Sequence, residues 1–225
     1  MDKEWDGRPD PELLLRQNFP EGESDGKGKL KIFFGYAAGV GKTYAMLDAA
    51  RQEKEAGRDV VAGYIEPHDR PDTMALLDGL EFLPPRTVGY KGIVLREFDL
   101  DAALIRRPDL ILVDELAHTN AQGSRHRKRC QDVTELLDAG INVYTTVNVQ
   151  HLESLHDIVA SITHVRVSER IPDSVFDNAS QVELVDISPE ELRQRLEEGK
   201  IYHKNQADKA KISFFTLEHL SALRS

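Results

Sequence analysis

The chain has 225 residues, of which 40% are hydrophobic and 30% charged, and its formal net charge is −10. Such a composition is typical of a globular protein that buries one substantial core. The negative charge argues against a general nucleic-acid binder, because phosphate backbones require positive surface. A single cysteine, Cys130, excludes an internal disulfide and a multi-cysteine zinc site. The sequence holds no run of about 18 apolar residues that would predict direct membrane insertion.

Three regions are predicted along the chain. Residues 1–28 form an acidic N-terminal arm without the apolar core of a signal peptide, so we expect a cytoplasmic protein. A short helix over residues 11–17 and a disordered tail are both compatible with this arm. Residues 29–187 form the main domain, and residues 188–225 form a helical appendage packed on it.

Strands and helices alternate through the main domain. Strands are predicted over residues 29–35, 59–67, 109–115, 141–149 and 181–187, which are short, apolar and rich in Val and Ile. Helices are predicted over residues 44–57, 72–80, 99–107, 130–140 and 152–162. This alternation indicates an α/β fold of the P-loop NTPase type, with a mostly parallel sheet and helices on both faces.

The strongest motif follows the first strand, in the segment IFFGYAAGVGKTYAML. An apolar strand, a glycine-rich loop, Gly-Lys-Thr and a helix form the context of a Walker A phosphate loop. Backbone N–H groups of small residues surround a phosphate there, and the helix N-terminus adds its dipole. Lys42 is expected to reach the β and γ phosphates, and Thr43 to ligate Mg²⁺. The residues predicted to bind ATP here are Gly39, Val40, Gly41, Lys42 and Thr43.

Tyr36 is the one departure from this motif, which has glycine at that position. The tyrosine is compatible with phosphate binding if its backbone torsions are not left-handed. Alternatively, it narrows the loop and weakens binding.

The strand LILVDE supplies the carboxylates that a phosphate loop needs. Asp114 is the predicted Walker B acid, holding the water shell of Mg²⁺, and Glu115 is a candidate base for an attacking water. Glu66, at the end of the second strand, competes with Glu115 for that role. Asn148, at the end of the fourth strand, is a candidate sensor of the γ phosphate, because ligands of such sheets lie beyond the carboxyl ends of the strands. A plain strand end without a ligand contact is the alternative.

Basic residues are concentrated after the acidic strand, at Arg125, Arg127, Lys128 and Arg129 around His126. Positive charge at a helix start opposes the helix dipole, which suggests a bound anion and makes Arg125 a candidate nucleotide contact. A solvated basic patch is the equal alternative.

The tail is predicted to be helical. Ser188 caps a helix with Pro189 in its first turn and Gly199 as its stop, and a last helix is expected over residues 206–224.

Three segments, GKLKIFFGYAAGVGKTYAML, RRPDLILVDELAHTNAQGSRHRKR and GINVYTTVNVQHLESLHDIV, closely resemble the N-terminal cytosolic domain of the KdpD family of osmosensitive potassium-channel sensor histidine kinases. The resemblance covers nearly the whole chain. It implies an ATP-binding domain, at the cytosolic face of a bacterial inner membrane, that modulates the kinase and phosphatase output of a two-component sensor. It assigns the Walker A role to Gly39, Gly41, Lys42 and Thr43, and the Walker B role to Asp114 and Glu115.

The family's phosphoacceptor histidine, kinase domain and transmembrane helices are not in this sequence, so the resemblance implies a fragment or a short form. Its expected partners are ATP, the remaining domains of the parent kinase, the response regulator and a second copy in a homodimer. Departures from the family pattern are Pro67, Asp69 and Arg127, the last standing where a proline is common.

Three functions therefore stay open. The first is a regulatory ATP-binding module, the second a P-loop NTPase with slow hydrolysis. The third is a nucleotide-free interaction module in which Tyr36 blocks the loop.

Overall fold

The computed structural model describes residues 26–66, 71–90, 93–198, 201 and 215–225. Nearly all of the predicted N-terminal arm lies outside the described residues. So do residues 67–70, with two of the departures from the family pattern, and Gly199, the predicted helix stop.

The described residues form eight strands and eight α-helices. The strands are β1 (Leu30–Gly35), β2 (Val60–Tyr64), β3 (Glu81–Phe82), β4 (Arg86–Tyr90), β5 (Ile93–Glu97), β6 (Leu110–Val113), β7 (Asn142–Asn148) and β8 (Gln181–Leu184). The helices are α1 (Lys42–Glu55), α2 (Pro71–Leu77), α3 (Leu100–Arg106), α4 (Arg129–Asp138), α5 (His156–Thr163), α6 (Asp173–Asp177), α7 (Pro189–Glu197) and α8 (Leu217–Arg224). A 3-10 turn follows β7 at Val149–His151.

Six strands form a parallel sheet in the order β3-β2-β6-β7-β1-β8. Strand β7 lies between β1 and β6, with Gly35 opposite Asn148 and Val113 opposite Thr145. Because the strands run in the same direction, the segments that follow β1, β6 and β7 leave the sheet at one edge. The three predicted parts of the nucleotide site are therefore brought together there.

Both faces of the sheet are covered by helices, which confirms the predicted α/β class. Alternate side chains of β1 point to opposite faces, as the two-residue period of a strand requires. Ile32 belongs to a core cluster with Val133 of α4, whereas Phe33 belongs to a second cluster with Met46 and Leu47 of α1. Each such fully buried side chain contributes about 1.5–3 kcal/mol of transfer free energy.

Several parts of the fold, among them the short helix α6, differ from the prediction. The sequence predicts no strand over residues 81–97, where β3 adds a sixth strand to the sheet and β4 and β5 form an antiparallel hairpin. These strands are short and partly exposed (Val94 is 70% exposed), so they lack the continuous apolar run that marks a buried strand. The helix predicted from residue 152 begins only at His156, because Leu152 and Glu153 pair with the backbone of Ile171.

The tail forms two capped helices. The predicted cap at Ser188 is confirmed, since its Oγ accepts the Glu191 N–H at 3.1 Å. The last helix covers only residues 217–224, with Thr216 accepting the His219 N–H at 3.2 Å; residues 206–214 of the predicted helix lie outside the described residues. Residues 188–198, 201 and 215–225 are called the C-terminal unit below. No helix in the described part of the chain is long and apolar enough to cross a membrane.

Candidate nucleotide-binding cleft

Residues 36–41 connect β1 to α1 and form the loop that the Walker A motif predicted. Gly39 and Gly41 have φ angles of 90° and 109°, the left-handed region that side chains other than glycine rarely adopt. Lys42, the first residue of α1, is 9% exposed, and its Nζ donates to the carbonyl oxygen of Ala37 at 3.0 Å. The lysine is thus already folded back along the loop that would surround a phosphate.

Tyr36 is accommodated because its side chain leaves the loop on the side of the C-terminal unit. The backbone φ of Tyr36 is not positive, so the torsion condition for its compatibility with phosphate binding is met. Its hydroxyl donates to the carbonyl oxygen of Ile187 at 3.0 Å, and the ring is buried. Burial and the nearby Asp186 raise the pKa of Tyr36 to about 12.

Asp114 lies directly after β6 and is 1% exposed. Its carboxylate accepts hydrogen bonds from the hydroxyls of Thr43 and Thr146 and from the N–H groups of Glu66 and Glu115. The Thr43 Oγ1–Asp114 Oδ2 distance is 3.1 Å, although the two residues are 71 positions apart. The two predicted Mg²⁺-binding groups therefore lie side by side, and four donors hold the carboxylate in place.

Glu115 follows with φ of 56°, a strained conformation for a residue with a side chain. Its N–H donates to both Asp114 and the Thr146 hydroxyl, each at 3.1 Å, which fixes the turn. The side chain is open to solvent but stands in a cleft crowded by protein atoms. This crowding and the neighbouring carboxylates of Asp114 and Glu66 raise the pKa of Glu115 to about 7.

Arg129 supports these carboxylates from the protein interior, a role that the sequence did not predict when it placed this residue in the basic cluster. Its side chain is fully buried and donates to the carbonyl oxygen of Asp114 at 2.9 Å. The guanidinium lies 4.2 Å from the ring centroid of Tyr64 and 3.6 Å from the Glu97 carboxylate. One signal in the sequence separates Arg129 from the surface residues of the basic cluster. It has the helical spacing to Val133 and Leu136 that places all three on the buried face of α4.

The cleft above these residues has a volume of about 250 Å³. It is lined by Ala38, Gly39, Gly41, Lys42, Thr43, Asp114, Glu115, Ala117, His118, Thr146, Val147, Asn148, Gln150, His151, Glu169 and Ile201. Small loop residues, one lysine and a fixed carboxylate therefore share one concave site. This is an arrangement suited to a phosphate chain with a divalent cation.

A family model, KdpD, described as the osmosensitive K⁺ channel His kinase sensor domain, matches residues 26–225. The chain belongs to the KdpD family.

Curated relatives agree with this assignment. The chain is 62% identical to the sensor protein KdpD of Clostridium acetobutylicum and 56% identical to that of Escherichia coli, over 217 residues in each case. These matches cover 96% of the chain but 24% of each relative, so the chain spans about a quarter of their length. It is also 51% identical to a putative sensor protein KdpD of Synechocystis, covering 88% of the chain and 54% of that protein.

In this KdpD-family domain the basic cluster is engaged in internal contacts. Arg125 pairs with Asp101 and Glu135, and His126 also contacts Glu135. Lys128 donates to the hydroxyl of Thr119 at 2.8 Å. Arg125 is not among the described residues that line the cleft, and the carboxylates of Asp101 and Glu135 offset its charge, where a bound anion and a solvated patch were the two alternatives.

The two candidate bases occupy different positions. Glu115 lines the cleft, whereas Glu66 is not among the described residues that line it. Glu66 instead accepts a hydrogen bond from the Tyr64 hydroxyl at 2.9 Å, and its N–H contacts Asp114 at 3.3 Å. The geometry therefore favours Glu115 as the residue that would contact a ligand. Glu66 lies nearby, and its charge raises the pKa of Glu115.

The far side of the cleft is polar. Asn148 lines it as predicted, and its Oδ1 and the Oε1 of Gln150 are buried acceptors without a hydrogen-bond partner among the described residues. His151 donates from Nδ1 to the carbonyl oxygen of Glu169 at 2.8 Å, since that oxygen can only accept. Burial, only partly offset by this hydrogen bond, lowers the pKa of His151, so its ring is neutral at pH 7.

His118 joins the cleft to the buried arginine. Its Nε2 lies 3.0 Å from the carboxylate of Glu97, which is itself 4% exposed and contacts Arg129. Burial by itself would raise the pKa of Glu97, but hydrogen bonds from His118 and the Ala121 N–H hold it below its usual value. No signal in the sequence identifies Glu97, because it lies in the β4–β5 hairpin that was not predicted.

Proposed function

We propose that this KdpD-family domain binds ATP with Mg²⁺ in the cleft and acts as a regulatory module of a potassium-responsive two-component sensor kinase. The observation that carries the proposal is the convergence of Lys42, Thr43 and Asp114 at one edge of the sheet. The names of the family and of its relatives support the sensor-kinase part.

The residues present fit the cofactor. The described residues contain no cluster of three or more His, Cys, Asp or Glu able to hold a metal. Mg²⁺ in phosphate-loop sites needs none, because it takes a hydroxyl, a carboxylate acting through water, and phosphate oxygens. Thr43 would supply the hydroxyl and Asp114 the carboxylate, and Mg²⁺ would neutralise phosphate charge when bound.

Lys42 and the loop would bind the phosphates. The lysine Nζ would leave the Ala37 carbonyl, 3.0 Å away, for the β and γ phosphates. The backbone N–H groups of Gly39, Val40 and Gly41 and the N-terminus of α1 would complete the phosphate site. Because α1 has no acidic residue in its first turn, nothing in that turn opposes a bound anion.

A regulatory role is favoured because the family model is described as a sensor domain and the relatives are named sensor proteins. Occupancy of the cleft would then alter contacts with the remaining domains of the parent kinase or with the response regulator.

Titration with ATP, with and without Mg²⁺, by isothermal calorimetry tests this proposal. We expect saturable binding that Mg²⁺ strengthens and that Lys42→Ala abolishes. The matched control is Lys54→Ala, which removes a lysine from the other end of the same helix, on the surface. Absence of binding by the unaltered chain, or equal binding by Lys42→Ala, would overturn the proposal.

Slow ATP hydrolysis is the second candidate, and the Glu115 carboxyl in the cleft favours it. With a pKa of about 7, this group can accept a proton from water near neutral pH. We expect Glu115→Gln to suppress phosphate release and Glu66→Gln to change it little. Equal release by Glu115→Gln and the unaltered protein would remove Glu115 as the base.

The nucleotide-free alternative required Tyr36 to block the loop. Its side chain is instead buried against the C-terminal unit and is not among the residues that line the cleft. In that alternative Tyr36→Gly would create ATP binding where the unaltered chain has none. Our proposal expects the unaltered chain to bind.

A further inference from the structure

The phosphate loop shares a hydrophobic core with the C-terminal unit. Three of its residues, Tyr36, Ala37 and Val40, are buried together with Leu192, Leu196, Ile201, Phe215 and Leu220. This cluster is separate from the two that cover the faces of the sheet. The loop therefore has apolar packing of its own, and the C-terminal unit supplies its other half.

Arg195, on α7, contacts the loop from outside. Its Nη1 donates to the carbonyl oxygen of Gly39 at 3.4 Å, and its Nη2 is held by Glu191 at 2.7 Å. That carbonyl belongs to the same peptide group as the Val40 N–H. A cation on the oxygen polarises the peptide and makes its N–H a stronger donor to a phosphate.

Ile201 contacts the same glycine and also lines the cleft. A Cβ atom on Gly39 would lie 2.3 Å from the Ile201 Cδ1, so the isoleucine packs directly against bare backbone. Gly41 is also near Arg195, whose Nη1 lies 3.7 Å from the position of a Cβ on that residue. The two glycines of the loop are thus adjacent to side chains from the C-terminal unit.

We propose that the C-terminal unit is part of the nucleotide site, with Arg195 and Ile201 as positioning residues that hold the phosphate loop in its binding conformation. ATP binding and the packing of α7 and α8 are then coupled, and the coupling is reciprocal. A partner that displaces these helices weakens ATP binding, and ATP stabilises the helices. This inference rests on the proposed function and adds its route of regulation.

The departure at Tyr36 follows from the same arrangement. Glycine at this position would remove the tyrosine ring from the shared core and the hydroxyl that donates to the Ile187 carbonyl oxygen. The tyrosine thus connects the loop to the chain segment that leads into α7.

Calorimetric titration of Arg195→Gln and Ile201→Ala with Mg²⁺–ATP tests the proposal. We expect the dissociation constant to rise about fivefold for Arg195→Gln, because a partly exposed charged hydrogen bond is lost. Arg195→Lys should recover part of the affinity, since an ammonium keeps one charged donor. The control is Gln194→Ala on the same helix, which loses only a contact with Glu198 and should bind as the unaltered chain does.

Hydrogen exchange distinguishes positioning from a structural role alone. ATP should slow amide exchange in α7 and α8 of the unaltered chain, and less so in Arg195→Gln. Two results would overturn the inference and leave the proposed function intact. In the first, the unaltered chain and Arg195→Gln bind ATP equally well. In the second, the unaltered chain binds ATP but amide exchange in α7 and α8 does not change. If the unaltered chain does not bind ATP, both the proposed function and this inference are refuted.

Discussion

Replacing the buried Arg129 with methionine is the sharpest test of how the acidic turn is held. The substitution removes the donor to the Asp114 carbonyl at 2.9 Å and the cation 3.6 Å from the Glu97 carboxylate. Glu97 is 4% exposed, so water cannot replace that cation. Breaking a buried ion pair from one side costs about 3–5 kcal/mol. We expect the lower end of this range, about 3 kcal/mol, because His118 and the Ala121 N–H still contact Glu97.

Urea unfolding and thermal unfolding, both followed by circular dichroism, measure this loss as a free energy and as a melting temperature. For a domain of this size, each kcal/mol lowers the melting temperature by about 2–4 °C, so we expect a fall of roughly 10 °C. The double variant Arg129→Met/Glu97→Gln should be more stable than the additive expectation by about 1–2 kcal/mol, because no charge is left buried. The control Arg127→Met, at an exposed position, should change stability by less than about 0.5 kcal/mol.

The same substitution changes the chemistry of the cleft. Arg129 lowers the pKa of Glu115, against the larger opposite effects of the crowded cleft and the neighbouring carboxylates, so its removal should move that pKa above about 7. Carboxyl NMR titration detects this change. A loss of stability below about 1 kcal/mol, together with an unchanged pKa of Glu115, would refute the role given to Arg129.

Two further predictions concern the loop and the acidic turn. Glu115→Gln should raise the melting temperature at pH 8 but leave it unchanged at pH 4. The Glu115 carboxyl keeps its proton up to about pH 7 in the folded domain, whereas in the unfolded chain it loses the proton near pH 4.5. The unaltered domain therefore loses stability as the pH rises through this window. An increase of the same size at both pH values would show that ionisation is not the cause. Gly39→Ala should destabilise the domain by more than Gly57→Ala. Both glycines have φ near 90°, but only Gly39 contacts Ile201. Equal melting temperatures for the two variants would contradict that contact.

The sequence by itself determined the parts whose physical basis is local. An apolar strand, a glycine-rich stretch and a helix start predicted the strand–loop–helix connection from β1 to α1. The end of an apolar strand predicted that Asp114 and Glu115 directly follow β6. Alternation of strands and helices predicted the parallel sheet, and Ser188 predicted the start of α7 because a cap is a local hydrogen bond.

Only the tertiary structure decided the contacts between distant segments. The strand order brings Thr43 to Asp114 across 71 residues, and no local pattern encodes that order. Arg125 and Arg129 belong to one basic cluster in the sequence, yet one lies on the surface and the other is fully buried. Arg125 pairs with Asp101 and Glu135, whereas Arg129 lies 3.6 Å from Glu97, and no local pattern encodes these partners. Likewise, Tyr36 departs from the phosphate-loop pattern in sequence, yet in the fold it is the residue that connects the loop to the C-terminal unit.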